Sequence, residues 1–100
     1  MIEITTTVAT SAQARKIAMK LIESKLAACV SFWKITSIYK WKGKTHRSGE
    51  VMLLVKTSEQ KSKRAEALLR KLHPYELPMI TIAKVAVDKK VVQWVRSATS

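Results

Sequence analysis

The sequence predicts an α+β fold: two helices on one face of a four-stranded antiparallel sheet, with a short third helix at the end. Three observations lead there. Hydrophobic periodicity runs in the order two, 3.6, two, two, 3.6, two, 3.6 along the chain. Only two glycines and two prolines occur in 100 residues, so most of the chain is regular structure. One strand, "VMLLVKT", is apolar on both faces, the mark of a central strand covered on both sides.

The elements follow in order. Residues 2–9 alternate, with Ile2, Ile4, Thr6 and Val8 on one face and Glu3, Thr5 and Thr7 on the other. Period two means a strand. In "TSAQ", Thr10 and Gln13 form a capping box. Ala14, Ile17, Ala18, Leu21 and Ile22 then fall on one stripe, which predicts an amphipathic helix over 11–25. "LAACV" (26–30) reads as a buried strand that runs on into "SFWKITSIYKWKGK". There Trp33, Ile35, Ser37, Tyr39 and Trp41 share one face. The run exceeds an ordinary strand, so a break or bulge is expected near Lys34, followed by a projecting hairpin whose return is bracketed by Gly43 and Gly49.

After the central strand (51–57), "TSEQ" predicts a second capping box, from Thr57 to Gln60, and a helix running to about Leu72 that buries Ala65, Leu68, Leu69 and Leu72. Pro74 ends it, because the residue before a proline disfavours helical angles. "MITIAKVAV" (79–87) is the fourth strand. Its phase change between Ile82 and Val85 predicts a bulge. Asp88 caps a last helix containing Val91, Val92, Trp94 and Val95.

The first six elements, βαββαβ, make the split arrangement of ferredoxin-like folds. Right-handed crossovers put both main helices on one sheet face. The other face of an apolar central strand is then left bare, and a bare apolar face is an association surface. The chain is therefore expected to be one domain, residues 1–100, that assembles with copies of itself.

Composition narrows the function. No apolar leader with basic flanks opens the chain and no run is long enough to span a bilayer, so a cytoplasmic protein is expected. The single cysteine, Cys29, agrees. The formal net charge is +12, which favours anionic partners. The aromatic motif of RNA-recognition domains is absent, so specific nucleic-acid binding is not expected. Nor is an enzyme. There is no glycine-rich phosphate loop, no serine–histidine–aspartate set and no carboxylate pair. Acylphosphatase-type enzymes share the fold but need an asparagine, and the chain has none.

The stretch "HPYELPMI" stands out, because it sets an imidazole, a phenol and a carboxylate between two prolines. Pro74 and Pro78 fix the path from helix to strand, Tyr75 packs its ring, and Glu76 is an acceptor for His73 or for a lysine across an interface. The potential metal ligands Cys29, His46 and His73 form no HxxxH or CxxC pair. Lys56 ends the central strand, near Trp41 if the hairpin pairs in register, and with Tyr75 and Glu76 it frames a pocket for a small anion.

"KLAACV" (25–30), "TSIYKWKGK" (36–44), "EVMLLVKT" (50–57), "LHPYELP" (72–78) and the late "WV" together resemble the CutA proteins, a family named for divalent-cation tolerance. The likeness covers essentially the whole chain. It implies a trimer of ferredoxin-like subunits, similar in architecture to PII signalling proteins. It implies no enzymatic reaction, no required cofactor, and Cu²⁺ or another divalent cation as candidate ligand. In animal relatives it is associated with membrane anchoring of a partner enzyme. Carried over by position, only His73 remains as a metal-ligand candidate; from the residues themselves, Cys29, Trp41, Lys56, Tyr75 and Glu76 are candidates for an intersubunit cleft. The chain departs from the pattern in four places. The usual acidic hairpin reads "WKGKTHRSGE", with Lys42, Lys44 and Arg47 and only Glu50 left. Met79 stands where relatives often have Glu, Thr6 where some have a cysteine ligand, and Leu72–His73 where some have two histidines. A basic module that binds anions or nucleic acid, with no metal role, is the alternative reading.

Overall fold

The computed structural model describes all 100 residues. The elements are β1 (Ile2–Val8), α1 (Ser11–Glu23), β2 (Cys29–Trp41), β3 (Lys44–Thr57), α2 (Ser62–Leu72), β4 (Thr81–Lys84) and α3 (Lys89–Ala98). They form one sheet in the order β2-β3-β1-β4 with every neighbouring pair antiparallel. This is the predicted α+β, ferredoxin-like arrangement with an added C-terminal helix and a long hairpin.

The core lies between the sheet and the helices. Ile2, Ile4 and Val8 of β1, Val51, Leu53 and Val55 of β3, Ala14, Ile17 and Leu21 of α1, and Ala65 and Leu69 of α2 form one buried cluster. Strand alternation puts every second residue of β1 and β3 into it. Leu68 and Leu72 pack against it half-buried.

Local chemistry accounts for most element ends. Thr10 accepts from the Gln13 backbone at 3.2 Å, and the Gln13 side chain accepts from the Thr10 backbone, which completes the predicted capping box. α1 stops at Glu23, short of residue 25. Lys25 takes a left-handed φ of 58°, and the Leu26 and Lys25 amides donate to the carbonyls of Leu21 and Ile22. That is a Schellman ending with lysine where glycine is usual. Asp88 caps α3 by accepting from the Val91 amide at 3.0 Å.

The second expected capping box does not form. Thr57 is fully buried at the end of β3 and its hydroxyl donates to the Leu26 carbonyl at 2.8 Å. α2 begins five residues later with no side-chain cap on it. The buried threonine has a stronger claim on its hydroxyl than an exposed helix end has. Residues 26–28 are likewise not a strand, since β2 starts at Cys29.

The hairpin also departs from expectation. β2 pairs with β3 in one unbroken register from Cys29↔Lys56 to Trp41↔Lys44, with no bulge at Lys34. Gly49 does not bracket a turn; it is paired with Thr36 inside the ladder. The turn is Lys42–Gly43, both at positive φ (52° and 78°), the signature of a two-residue type I′ connection whose twist matches the strands. β1 stops pairing at Val8↔Val51, so from Ile35↔Glu50 onward the hairpin is a free two-stranded arm. It stretches the molecule to 45 Å against 25 and 21 Å in the other directions.

β4 is shorter than the expected 79–87 and carries no bulge. Its pairing to β1 continues for one step beyond Lys84, where the Val85 amide donates to the Met1 carbonyl, and the chain then leaves the sheet.

Candidate functional site

β4 meets β1 only as far as Thr5↔Thr81, and the turn after α2 lies beside the next residues of β1. His73 is the C-cap of α2 with extended backbone, as Pro74 demands. Its Nε2 lies 2.9 Å from the Thr6 hydroxyl, and its Nδ1 accepts from the Tyr75 amide at 3.2 Å. An imidazole that accepts at Nδ1 carries its proton on Nε2, so Nε2 donates to Thr6. Burial lowers the pKa of His73, against the opposing pull of a backbone bond at Thr7 and the charge of Glu50. Both ring nitrogens are engaged, and a metal would have to displace one of these bonds.

Tyr75 packs edge-on to His73, with ring centroids 5.0 Å apart. Its hydroxyl donates to Glu50 at 2.6 Å. Burial, then the carboxylate beside it, pushes the phenol far above its ordinary pKa. Burial opposes the charge on Glu50, but hydrogen bonds from Tyr75, Ser37 and Thr7 and the nearby His73 outweigh it and hold the carboxyl below its usual range. Glu50 is therefore an ionised acceptor. It lines an open groove of about 590 Å³ between the root of the arm and the β1–α1 turn, together with Thr10, Lys34, Ile35 and Gly49.

The remaining predicted residues are placed as follows. Glu76 is exposed, has no ion-pair partner within the chain and does not accept from His73, whose nitrogens bond Thr6 and the Tyr75 amide instead. Trp41 and Lys56 do not meet, because they lie at opposite ends of the β2–β3 ladder. Lys56 pairs with Cys29 at one end and Trp41 with Lys44 at the arm's tip. Glu50 is six residues from each of Lys44 and Lys56, roughly 20 Å along the strand either way. Strand parity nevertheless sets Cys29, Trp41, Glu50 and Lys56 on the same face of the sheet, the one without helices. Cys29 is half-buried, its Sγ 3.9 Å from the Ser31 hydroxyl. No three histidine, cysteine or acidic side chains converge within the chain.

Sequence reasoning noted Thr6 and Glu50 only as departures from the family pattern and did not count them as members of the site. Each had a signal: Thr6 is a polar residue at an inward position of an alternating strand, and Glu50 is the last acid before an apolar run. A second cavity, of about 250 Å³, lies between α3 and the end of β4, where Lys84 pairs with Glu59 at 2.7 Å. No residue proposed from the sequence lines it.

No helix is long and apolar enough to cross a membrane. The family model described as CutA1 divalent ion tolerance protein matches residues 2–98. The divalent-cation tolerance protein CutA of Thermotoga maritima is 38% identical over 99 residues, covering 98% of each chain. The PII-like protein CutA from Nostoc sp. PCC 7120 superposes with a TM-score of 0.92 at 32% identity, over 100% of this chain and 98% of its own. A CutA of Archaeoglobus fulgidus, described as a periplasmic divalent cation tolerance protein, gives a TM-score of 0.93 at 29% identity over 100% of both chains.

Proposed function

The chain belongs to the CutA1 divalent ion tolerance family, and from that premise we propose that it acts as a non-enzymatic homotrimer that takes a small ligand in clefts between its subunits. The observation that carries this reading is the stripe on the uncovered sheet face. It holds an ionised, hydrogen-bonded carboxylate at Glu50, flanked by exposed aromatic side chains at Trp33, Tyr39 and Trp41. Cys29, Trp41, Lys56, Tyr75 and Glu76 are too dispersed to form one pocket in a single chain. Copies packed by this face would bring different parts of the stripe together, and clefts between subunits are where small ligands bind.

Copper or another divalent cation is the ligand that the family suggests. The residues of one chain do not fit it. No set of three ligands converges, His73 has no free nitrogen, and the arm carries Lys40, Lys42, Lys44 and Arg47. A cation site in this protein therefore requires Glu50 or His73 from one subunit and donors from another. A cytoplasmic location goes with this reading and is checked by cell fractionation.

The test is calorimetric titration of metal-free protein with Cu²⁺ and with Zn²⁺, alongside Glu50→Gln and His73→Ala, with the assembled mass measured by light scattering. Saturable binding that disappears in Glu50→Gln while the mass is unchanged supports a cation in the cleft. Absence of binding by the intact assembly removes the metal from the proposal, and a monomeric mass removes the cleft.

A further inference from the structure

The positive charge of this chain is largely unpaired. Of 19 lysine and arginine side chains, two are in ion pairs, Arg70 with Glu66 at 3.0 Å and Lys84 with Glu59. Part of the rest is concentrated on the helix layer. α1 and α2 turn Ala14, Ile17, Leu21, Ala65 and Leu69 into the core. Helical spacing then directs Lys16 and Lys20 of α1, and Lys63, Arg64 and Lys71 of α2, away from the sheet, all exposed, with the Glu66-paired Arg70 beside them. On α2 the dibasic pairs 63–64 and 70–71 are seven residues apart, two turns or about 10 Å along the axis.

Folding accounts for Arg70 and Lys71, in the last turn of α2 where the dipole favours cations, but not for the pair at its start. Lys63 and Arg64 occupy the first turn of α2, where the helix dipole disfavours cations. That turn contains no acid, and its N-cap is another cation, Lys61. The Lys89–Lys90 pair that opens α3 at least follows the acidic cap Asp88. A local rule broken without compensation inside the fold points to a partner outside it.

We propose that the outer faces of α1 and α2 bind the phosphate backbone of duplex nucleic acid without reading its sequence. This goes beyond ligand binding in the clefts and uses the opposite side of the sheet. The chemistry selects the partner. All six aromatic residues lie outside these two helices, so the surface has no platform for stacking the bases of single strands. α2 exposes no large apolar side chain and α1 exposes only Met19 and Ile22, too little to enter a lipid surface. What remains is an array of cations on two rigid rods, which suits a stiff polyanion and releases its counterions.

The experiment is fluorescence anisotropy of labelled 20-base-pair DNA and RNA duplexes of two unrelated sequences, titrated with the intact assembly over a range of salt. The variants are Lys63→Gln/Arg64→Gln/Lys71→Gln on α2 and Lys40→Gln/Lys42→Gln/Lys44→Gln on the arm. All six positions are exposed, and circular dichroism and light scattering check fold and mass. Expected is equal affinity for both sequences, a loss of more than about tenfold in the α2 variant, and a salt slope shallower by about three. The DNA and RNA arms decide which duplex is preferred. The proposal is overturned if the α2 variant binds like the wild type or the arm variant carries the loss. Tighter binding to single strands, or to phosphatidylserine vesicles, overturns it as well.

Discussion

At the scale of single residues, His73 joins the two halves of the site and gives it a pH dependence. Protonation at Nδ1 would set two donors, the ring N–H and the Tyr75 amide, against each other. With the folded pKa below the unfolded one, the unfolded chain binds the proton more readily. Stability is then full above about pH 6.5 and falls as pH drops below it. Thermal melts from pH 8 to 5 should show this decline, and His73→Gln, which cannot protonate, should flatten it. Glu50 acts in a lower window. Its folded pKa is depressed, so its contribution is present above the ordinary carboxylate range and is lost as pH falls through the folded value. The two windows are separable by Glu50→Gln. "HPYELP" announced His73 and Tyr75 in the sequence, because prolines around polar side chains are conspicuous. Their partners were not legible: the Tyr75–Glu50 bond spans 25 residues and the His73–Thr6 bond 67. Strand parity says which face a residue occupies, but not which loop folds beside it.

Among the elements, two lysines sit where the backbone wants glycine or asparagine. Lys25 ends α1 and Lys42 opens the hairpin turn, both with φ above 50°. A side chain in the left-handed region is strained by roughly 1 kcal/mol. Lys25→Gly and Lys42→Asn should each stabilise the protein by about 0.5–1 kcal/mol in denaturant unfolding, and Gly43→Val should destabilise it. α2 makes a sharper case. Lys63→Glu replaces a cation that opposes the dipole by an anion that complements it, and should raise stability by about 0.5 kcal/mol. The same substitution should weaken duplex binding, so stability and affinity would move in opposite directions. Element identity was readable from periodicity throughout, because the alternation in β1 and the stripe in α1 are each dictated by one buried face. Boundaries were less so. β2 runs unbroken for 13 residues because each arm residue has a cross-strand partner. Thr57 left its expected cap because the Leu26 carbonyl needed a buried donor. Both outcomes depend on neighbours outside the local window.

For the whole molecule, the decisive feature is what one chain leaves uncovered. A two-stranded arm with no third strand is marginal in water, yet here it carries Tyr39 43% and Trp41 38% exposed, with Trp33 47% exposed just below its root. Trp33 stands directly opposite Met52, and Ser31 opposite Leu54, on the helix-free face. The sequence already implied this face, because "VMLLV" is apolar on both sides and two helices cover only one. It could not give the number of copies, which depends on the angle between subunits. If copies bury the face, charge placed there should separate them. Trp33→Glu combined with Met52→Glu should lower the mass by light scattering from that of the proposed assembly, three chains of 11.3 kDa, to one. The wild-type melting temperature should rise with protein concentration, because association stabilises only the folded chain, and this dependence should vanish in the double variant. The α2 surface faces the other way, so the separated chains should retain duplex binding, each with lower apparent affinity than the assembly because the linked copies no longer act together. A double variant that keeps the wild-type mass would mean that the arm is supported by something other than this face, and the cleft reading would fall with it.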